Sequence, residues 1–339
     1  MKTFPNNANA LRATLFLASS AAAIAISSPA FADATAPCNT NAGPDGIAGN
    51  ADDVAESTEC GVNATASGTG ATAVGSGASA AGTSAVAIGR GAISPTAGSV
   101  AIGVNATTAT LGATPSGAAS SGTAVAIGNA AKATQEDAVA LGDLANASGF
   151  HSTAIGGESV ASGVGSQAFG WQANSSGRTA VAVGHQANAA GFEATSVGKS
   201  AQAGGTNSAA LGSRASAAGI NSVAIGNGAV TADGTTPSGA ASLGTAVAVG
   251  NLAQATAEDA VALGDQANAS GFHSTAIGGE SVASGIGSQA FGWQANSSGR
   301  TAVAVGHQAN AAGLEATSVG KSAQAGGANS ASLGSRANA

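Results

Sequence analysis

From about residue 65 onward the chain repeats one short pattern of apolar and polar positions. An aliphatic residue or Phe is followed by glycine at Gly75, Gly89, Gly103, Gly128, Gly142, Gly156, Gly170, Gly184, Gly198, Gly212, Gly226, Gly250, Gly264, Gly278, Gly292, Gly306, Gly320 and Gly334. The steps are 14 residues, except for 25 between Gly103 and Gly128 and 24 between Gly226 and Gly250. A fixed short period is the signature of a stacked repeat and outranks other fold signals. The two wide steps predict insertions near 104–122 and 227–244, both containing Thr-Pro-Ser-Gly-Ala-Ala-Ser (114–120 and 236–242).

Within each repeat Gly recurs halfway, as in Gly142 and Gly149 or Gly212 and Gly219. Two glycines seven apart predict two turns, since Gly takes the positive φ that sharp corners need. Between them lie two runs of four to five residues that alternate with period two, which predicts two short strands per repeat. Pro is nearly absent from them, as a continuous ladder requires. In the run after the first turn, Ala alternates with variable polar residues, as in Ala145-Asn146-Ala147. One face is expected inside and the other in water. In the other run both faces are restricted: Val181 and Val183 form one, Ala180 and Ala182 the other. One of these fills the coil; the other, small and apolar, is expected to need a partner along its length.

Composition fits a thin coil. Of 339 residues, 52 are Gly, and the 44% hydrophobic fraction is mostly Ala; Leu, Ile, Val and Phe number 54. Such a chain buries too little apolar area for an ordinary two-domain enzyme. A lone Ala-lined coil would also struggle to offset its chain entropy, so a homo-oligomer of parallel coils is expected. At about 4.8 Å per strand, eighteen turns make a rod on the order of 85 Å long.

These repeats, as in Ser84-Ala-Val-Ala-Ile-Gly89, Ser99-Val-Ala-Ile-Gly103 and Asn221-Ser-Val-Ala-Ile-Gly226, resemble the head repeats of trimeric autotransporter adhesins, the YadA-like family. The resemblance covers roughly 65–339. It implies an all-β, left-handed parallel β-roll, three chains per head, display on the Gram-negative outer membrane, and attachment to host matrix proteins, cell-surface receptors or like heads on neighbouring cells. The stalk and β-barrel anchor usual in such proteins do not follow Ala339, so the chain is expected to be a fragment. A non-adhesive structural spacer is one alternative. An ice-binding solenoid is another, though it would want a rank of outward Thr that recurs here only sporadically, at positions such as Thr153 and Thr195.

The N-terminus carries separate signals. Lys2 and Arg12, an apolar stretch from Ala13 to Ile26, and Ala30-Phe31-Ala32 read as a secretory signal peptide over 1–32, too short to span a membrane comfortably. Its removal leaves 8 basic against 17 acidic residues, a net −9, which argues against nucleic acid. Residues 33–64 form an acidic segment holding Cys38 and Cys60, and in an oxidising compartment these two are expected to form a disulfide. Between them lie Asp45, Asn50, Asp52, Asp53 and Glu56: either an exposed acidic loop or a calcium site, though without EF-hand spacing.

Residues 112–217 recur 122 positions later with few changes, so residues that occur in both blocks owe that to duplication. Candidate contact residues are Trp171 and Trp293, which follow turn glycines, and His151, His185, His273 and His307. Exposed aromatics anchor partners, but cover over local repacking is the first reading of each Trp, and a solvated turn that of each His. No catalytic group, metal-ligand set or cofactor is predicted.

Overall fold

The computed structural model describes residues 39–40, 57–108, 123–232 and 245–339. The expected signal peptide, the loop at 45–56 and Cys38 lie outside them. The described chain is a parallel β-solenoid built from two ladders. One stacks nineteen strands of three residues, from Thr58–Cys60 to Ala331–Leu333; the other stacks eighteen strands of two residues, from Thr65–Ala66 to Gln324–Ala325. The strands are shorter than the runs in the sequence, because each corner takes more of the period. Register is strict, each residue pairing with the residue 14 positions on, as in Val181↔Thr195, Ala182↔Ser196 and Val183↔Val197.

Ladders cross both insertions unbroken, with Val100↔Val125 and Val223↔Val247. Residues 104–108 and 227–232 remain in regular coil and include the strands Thr107–Thr108 and Val230–Thr231. The insertions are therefore narrower than expected, within 109–122 and 233–244. Thr108 and Thr231, the two largest fully buried side chains among the described residues, fill the interior beside them. Thr231 Oγ1 donates to Ser222 Oγ at 2.9 Å and Thr108 Oγ1 to Ser99 Oγ at 3.2 Å, so neither hydroxyl is left unpaired in the dry interior.

The array starts one coil earlier than the aliphatic-Gly pattern indicates. Thr58–Cys60 pairs in parallel with Thr72–Val74, and Gly61 takes φ 129° like the later turn glycines. Cys60 hides the repeat by replacing the aliphatic residue. This first strand is covered by Asn39–Thr40, paired antiparallel. Glu59 holds the interior register filled by Ala73 one coil on, and its carboxylate accepts the Ala66 N–H. Cys60 is disulfide-bonded.

The interior is mostly Ala, with Ser in many coils and Thr beside the insertions. The middle residue of the three-residue strand and the second of the two-residue strand point inward, as Ala182 and Ala189 do at 0% exposure. This corrects the expectation of a small unpartnered outer face. The small residues are inside, and Val, Ile, Leu and Phe stand outside because no larger side chain fits between ladders this close. The two-residue strands present a mostly polar outer row such as Asn146, Asn174, Asn188 and Gln202.

The turns also depart from expectation. First-turn glycines such as Gly142 and Gly170 do have φ of 139° and 133°, but the halfway glycines are not in the positive-φ region. Their constraint is steric. A Cβ on Gly177 would lie 1.8 Å from the carbonyl oxygen of Gly191, and one on Gly149 2.0 Å from that of Gly163. The left-handed residue comes two positions after each glycine and is seldom Gly: Leu144, His151, Gln172 and Thr179 all have φ near 55°. The next residue closes each turn, with the Ala145 N–H on the Gly142 carbonyl and the Ser152 N–H on the Gly149 carbonyl, both at 3.3 Å.

Candidate ligand contact surface

Strict register turns every position of the repeat into a column of side chains about 4.8 Å apart. Three columns have features of a contact surface.

The first is aliphatic. The third residue of each three-residue strand points outward, giving Ile127, Leu141, Ile155, Phe169, Val183, Val197, Leu211 and Ile225 in succession. The first residue contributes Val125, Val139 and Val181 beside them, broken by Thr153 and Gln167. Ile127, Ile155 and Ile225 are more than a third exposed despite flanking apolar neighbours. An apolar stripe of this length on one face marks an interaction surface.

The second column follows the first-turn glycine and reads Asn129, Asp143, Gly157, Trp171, His185, Lys199. Trp171 is 44% exposed and stacks on His185, ring centroids 4.7 Å apart and planes tilted by 36°. Trp293 and His307 repeat this at 4.7 Å and 38°. Taken as separate candidates in the sequence, Trp and His belong to one pair here; their spacing of 14 was the signal that they meet.

Third is the left-handed column beside it. Gln172 Nε2 donates to Glu158 Oε2 at 2.7 Å, and Gln186 Nε2 to Gln172 Oε1 at 2.9 Å. Glu280, Gln294 and Gln308 make the same ladder at 2.8 and 2.9 Å. These bonds hold the polar groups alongside each Trp in a fixed row.

The remaining histidines lie elsewhere. His151 and His273 occupy left-handed positions of the second turn, where Nδ1 sits 3.4 Å from Oδ2 of Asp137 and Asp259. Both pairs are largely exposed and hold the turns together only weakly. Arg178 lies 5.8 Å from the Phe192 ring centroid; the second block has Arg300 but Leu314 in place of the Phe. Among the described residues no three His, Cys, Asp or Glu side chains gather as metal ligands.

Comparison with known proteins found a match to the YadA head domain repeat, at residues 61–78, 66–92, 80–106, 119–145, 147–173, 175–201, 189–215, 203–229, 245–267, 269–295 and 297–321. A search of curated proteins found no match. Matches cover well over half of the chain and coincide with the solenoid, including its first coil at Gly61. The chain belongs to the YadA head repeat family, the repeats of trimeric autotransporter adhesin heads.

Proposed function

We propose that this chain is the head of a bacterial surface adhesin, a left-handed β-roll of which three copies pack side by side around a common axis. The observation that carries the reading is the outward aliphatic column, which runs the length of the rod and fits burial against like columns. The polar columns and turns would then face outward, each side chain presented three times per head and again through the duplication. Weak contacts multiplied in this way give firm attachment without any single strong site. Segment 1–32 would direct export, and a Cys38–Cys60 disulfide would close the N-terminal end. The partners are host extracellular-matrix proteins, cell-surface receptors or heads on neighbouring cells. The test is binding of the purified head to immobilised collagen, fibronectin and laminin and to epithelial cells, alongside aggregation of bacteria displaying it. Saturable binding to one of these, or aggregation, is expected; failure of all would leave a spacer.

A further inference from the structure

The first-turn edge of the rod carries its charges in a definite order. Two columns make this edge, the one after each turn glycine and the left-handed one beside it. Asp143 and Glu158 stand there in adjoining coils, followed by Lys199 and Arg214, then Asp265 and Glu280, then Lys321 and Arg336, all exposed. Each acidic pair lies four coils before a basic pair, about 19 Å. The block duplication repeats every eight coils, so the sign of the edge reverses every half-period. Arg90, three coils before Asp143, continues the alternation, and no other Lys, Arg, Asp or Glu of the described residues occupies these two columns. The second turn has no such order: Glu136, Asp137, Arg178 and Glu193 follow closely there and are acidic on balance.

Within one chain the charges of this edge do not meet. Among the described residues the only ion pairs are His151–Asp137 and His273–Asp259, both on the second turn. Glu158 and Lys199 are three coils apart, about 14 Å, farther than the screening length at physiological salt. Amides hold the carboxylates instead. Asn129 Nδ2 donates to Asp143 Oδ1 at 2.7 Å, and Gln172 Nε2 to Glu158 Oε2 at 2.7 Å. Asn251 holds Asp265 and Gln294 holds Glu280, both at 2.8 Å. The acidic groups are thus fixed in position with their charge uncompensated.

We infer that this edge pairs, antiparallel, with the same edge of a second copy of the chain. The two-fold axis passes between Asn227 and Asn251, which are neighbours in the stack, Asn227 Nδ2 donating to Asn251 Oδ1 at 3.2 Å. Counting coils outward from that point, Arg214 falls opposite the partner's Asp265, and Lys199 opposite the partner's Glu280. Farther out, Glu158 falls opposite the partner's Lys321, and Asp143 opposite the partner's Arg336. The two-fold makes every match occur twice. Each match joins one column to the other, a sideways step that long Lys and Arg side chains cover. Parallel heads at one level would instead set Asp143 against Asp143 and Lys199 against Lys199. Heads on one cell stand parallel, whereas heads on two facing cells meet antiparallel, so the edge selects contact between cells. Exposed ion pairs are weak singly, and many heads per cell supply the strength. The adhesin reading enters only in how heads are oriented on cells.

Beads carrying the purified full chain, attached through its C-terminal end, should clump at low salt and disperse as salt rises. Lys199→Asp/Arg214→Glu should need roughly tenfold more chain per bead for half-maximal clumping. Adding Asp265→Lys and Glu280→Arg to that variant exchanges the two central patches and returns the net charge to −7. Every new residue type already stands in its column, at Asp143, Glu158, Lys199 and Arg214, so the turns accept it. This four-fold variant should clump with itself as the native chain does. Mixed with native beads of another colour it should sort into separate clumps, because like charges then face each other between the two kinds. Native beads that stay dispersed, clumping that ignores salt, mixed clumps, or a four-fold variant that does not clump with itself each overturn the inference. The last result is what a parallel arrangement staggered by four coils would give. The beads carry no host protein or cell, so the outcome is independent of whether the heads bind matrix.

Discussion

Two kinds of glycine are interleaved in this chain, and they should tolerate substitution very differently. At Gly177 the obstacle is the neighbouring coil: a Cβ would overlap the Gly191 carbonyl oxygen at 1.8 Å, and backbone cannot step aside as a side chain can. At Gly165 the backbone is left-handed, φ 68°, but a Cβ would meet only Thr179, at 3.4 Å from Cγ2 and 4.0 Å from Cα. His151, one coil before, and Thr179, one coil after, already hold that conformation in the same column. Gly177→Ala should therefore cost about 3 kcal/mol or more, as overpacking against rigid structure does. Gly165→Asn should change stability by less than about 1 kcal/mol, since Asn accepts the left-handed region. Thermal unfolding of the two variants checks this, and equal effects would refute it. The sequence shows a glycine every seven residues but not which constraint each obeys, because contact with the next coil has no local signature. Thr96, Gln135 and Ala257, which stand where this glycine is expected, are in the coils nearest the insertions.

Elements this short have no stability of their own, and each coil depends on its two neighbours. Among the described residues the first coil has another coil on one side only. There Asn39–Thr40 pairs with Thr58 and Glu59, the Glu59 carboxylate takes the Ala66 N–H, and Cys60 is tied by its disulfide. Reducing the disulfide should loosen this cap while leaving distant coils intact. Hydrogen exchange under reducing conditions is expected to rise over roughly 58–80 and to stay unchanged near 300–330. Protection lost evenly along the rod would contradict nearest-neighbour coupling, and no loss at all would mean that strand pairing and Glu59 suffice. Coil order, two strands per coil and ladder register were all legible from the 14-residue period. The first coil was not, because Cys60 and Glu59 replace the aliphatic residue and the Ala that mark the others. The same substitutions that hide the coil are those that cap it.

For the whole rod, what matters is which apolar surface is already buried. Ala fills the interior, and one buried methyl contributes under about 1 kcal/mol, so a single coil gains little from its own core. The larger side chains stand outside in a column that runs through eighteen of the nineteen coils, Cys60 taking its place in the first. Covering what remains exposed of one Ile or Val would add on the order of 1 kcal/mol, and the sum over the column reaches tens of kcal/mol before the costs of association. Scarcity of large residues pointed to oligomerisation from composition alone, but alternation in the sequence did not reveal which side they faced; a coil whose interior takes only small side chains, Ala with Ser and two Thr, decides that. The polar row led by Asn146 and Asn174 offers no comparable surface, so association should proceed through the aliphatic column. Analytical ultracentrifugation of the folded head is expected to give the mass of three chains. Replacing Ile127, Ile225 and Ile277 together with Asp should destroy that species, because a carboxylate buried in an apolar seam has no partner. Triple replacement of Asn146, Asn174 and Asn188 by Asp adds the same charge on the other face and should leave the mass unchanged. A stable monomer of the native chain would mean that the column is covered by something other than itself, and the trimeric head would have to be abandoned.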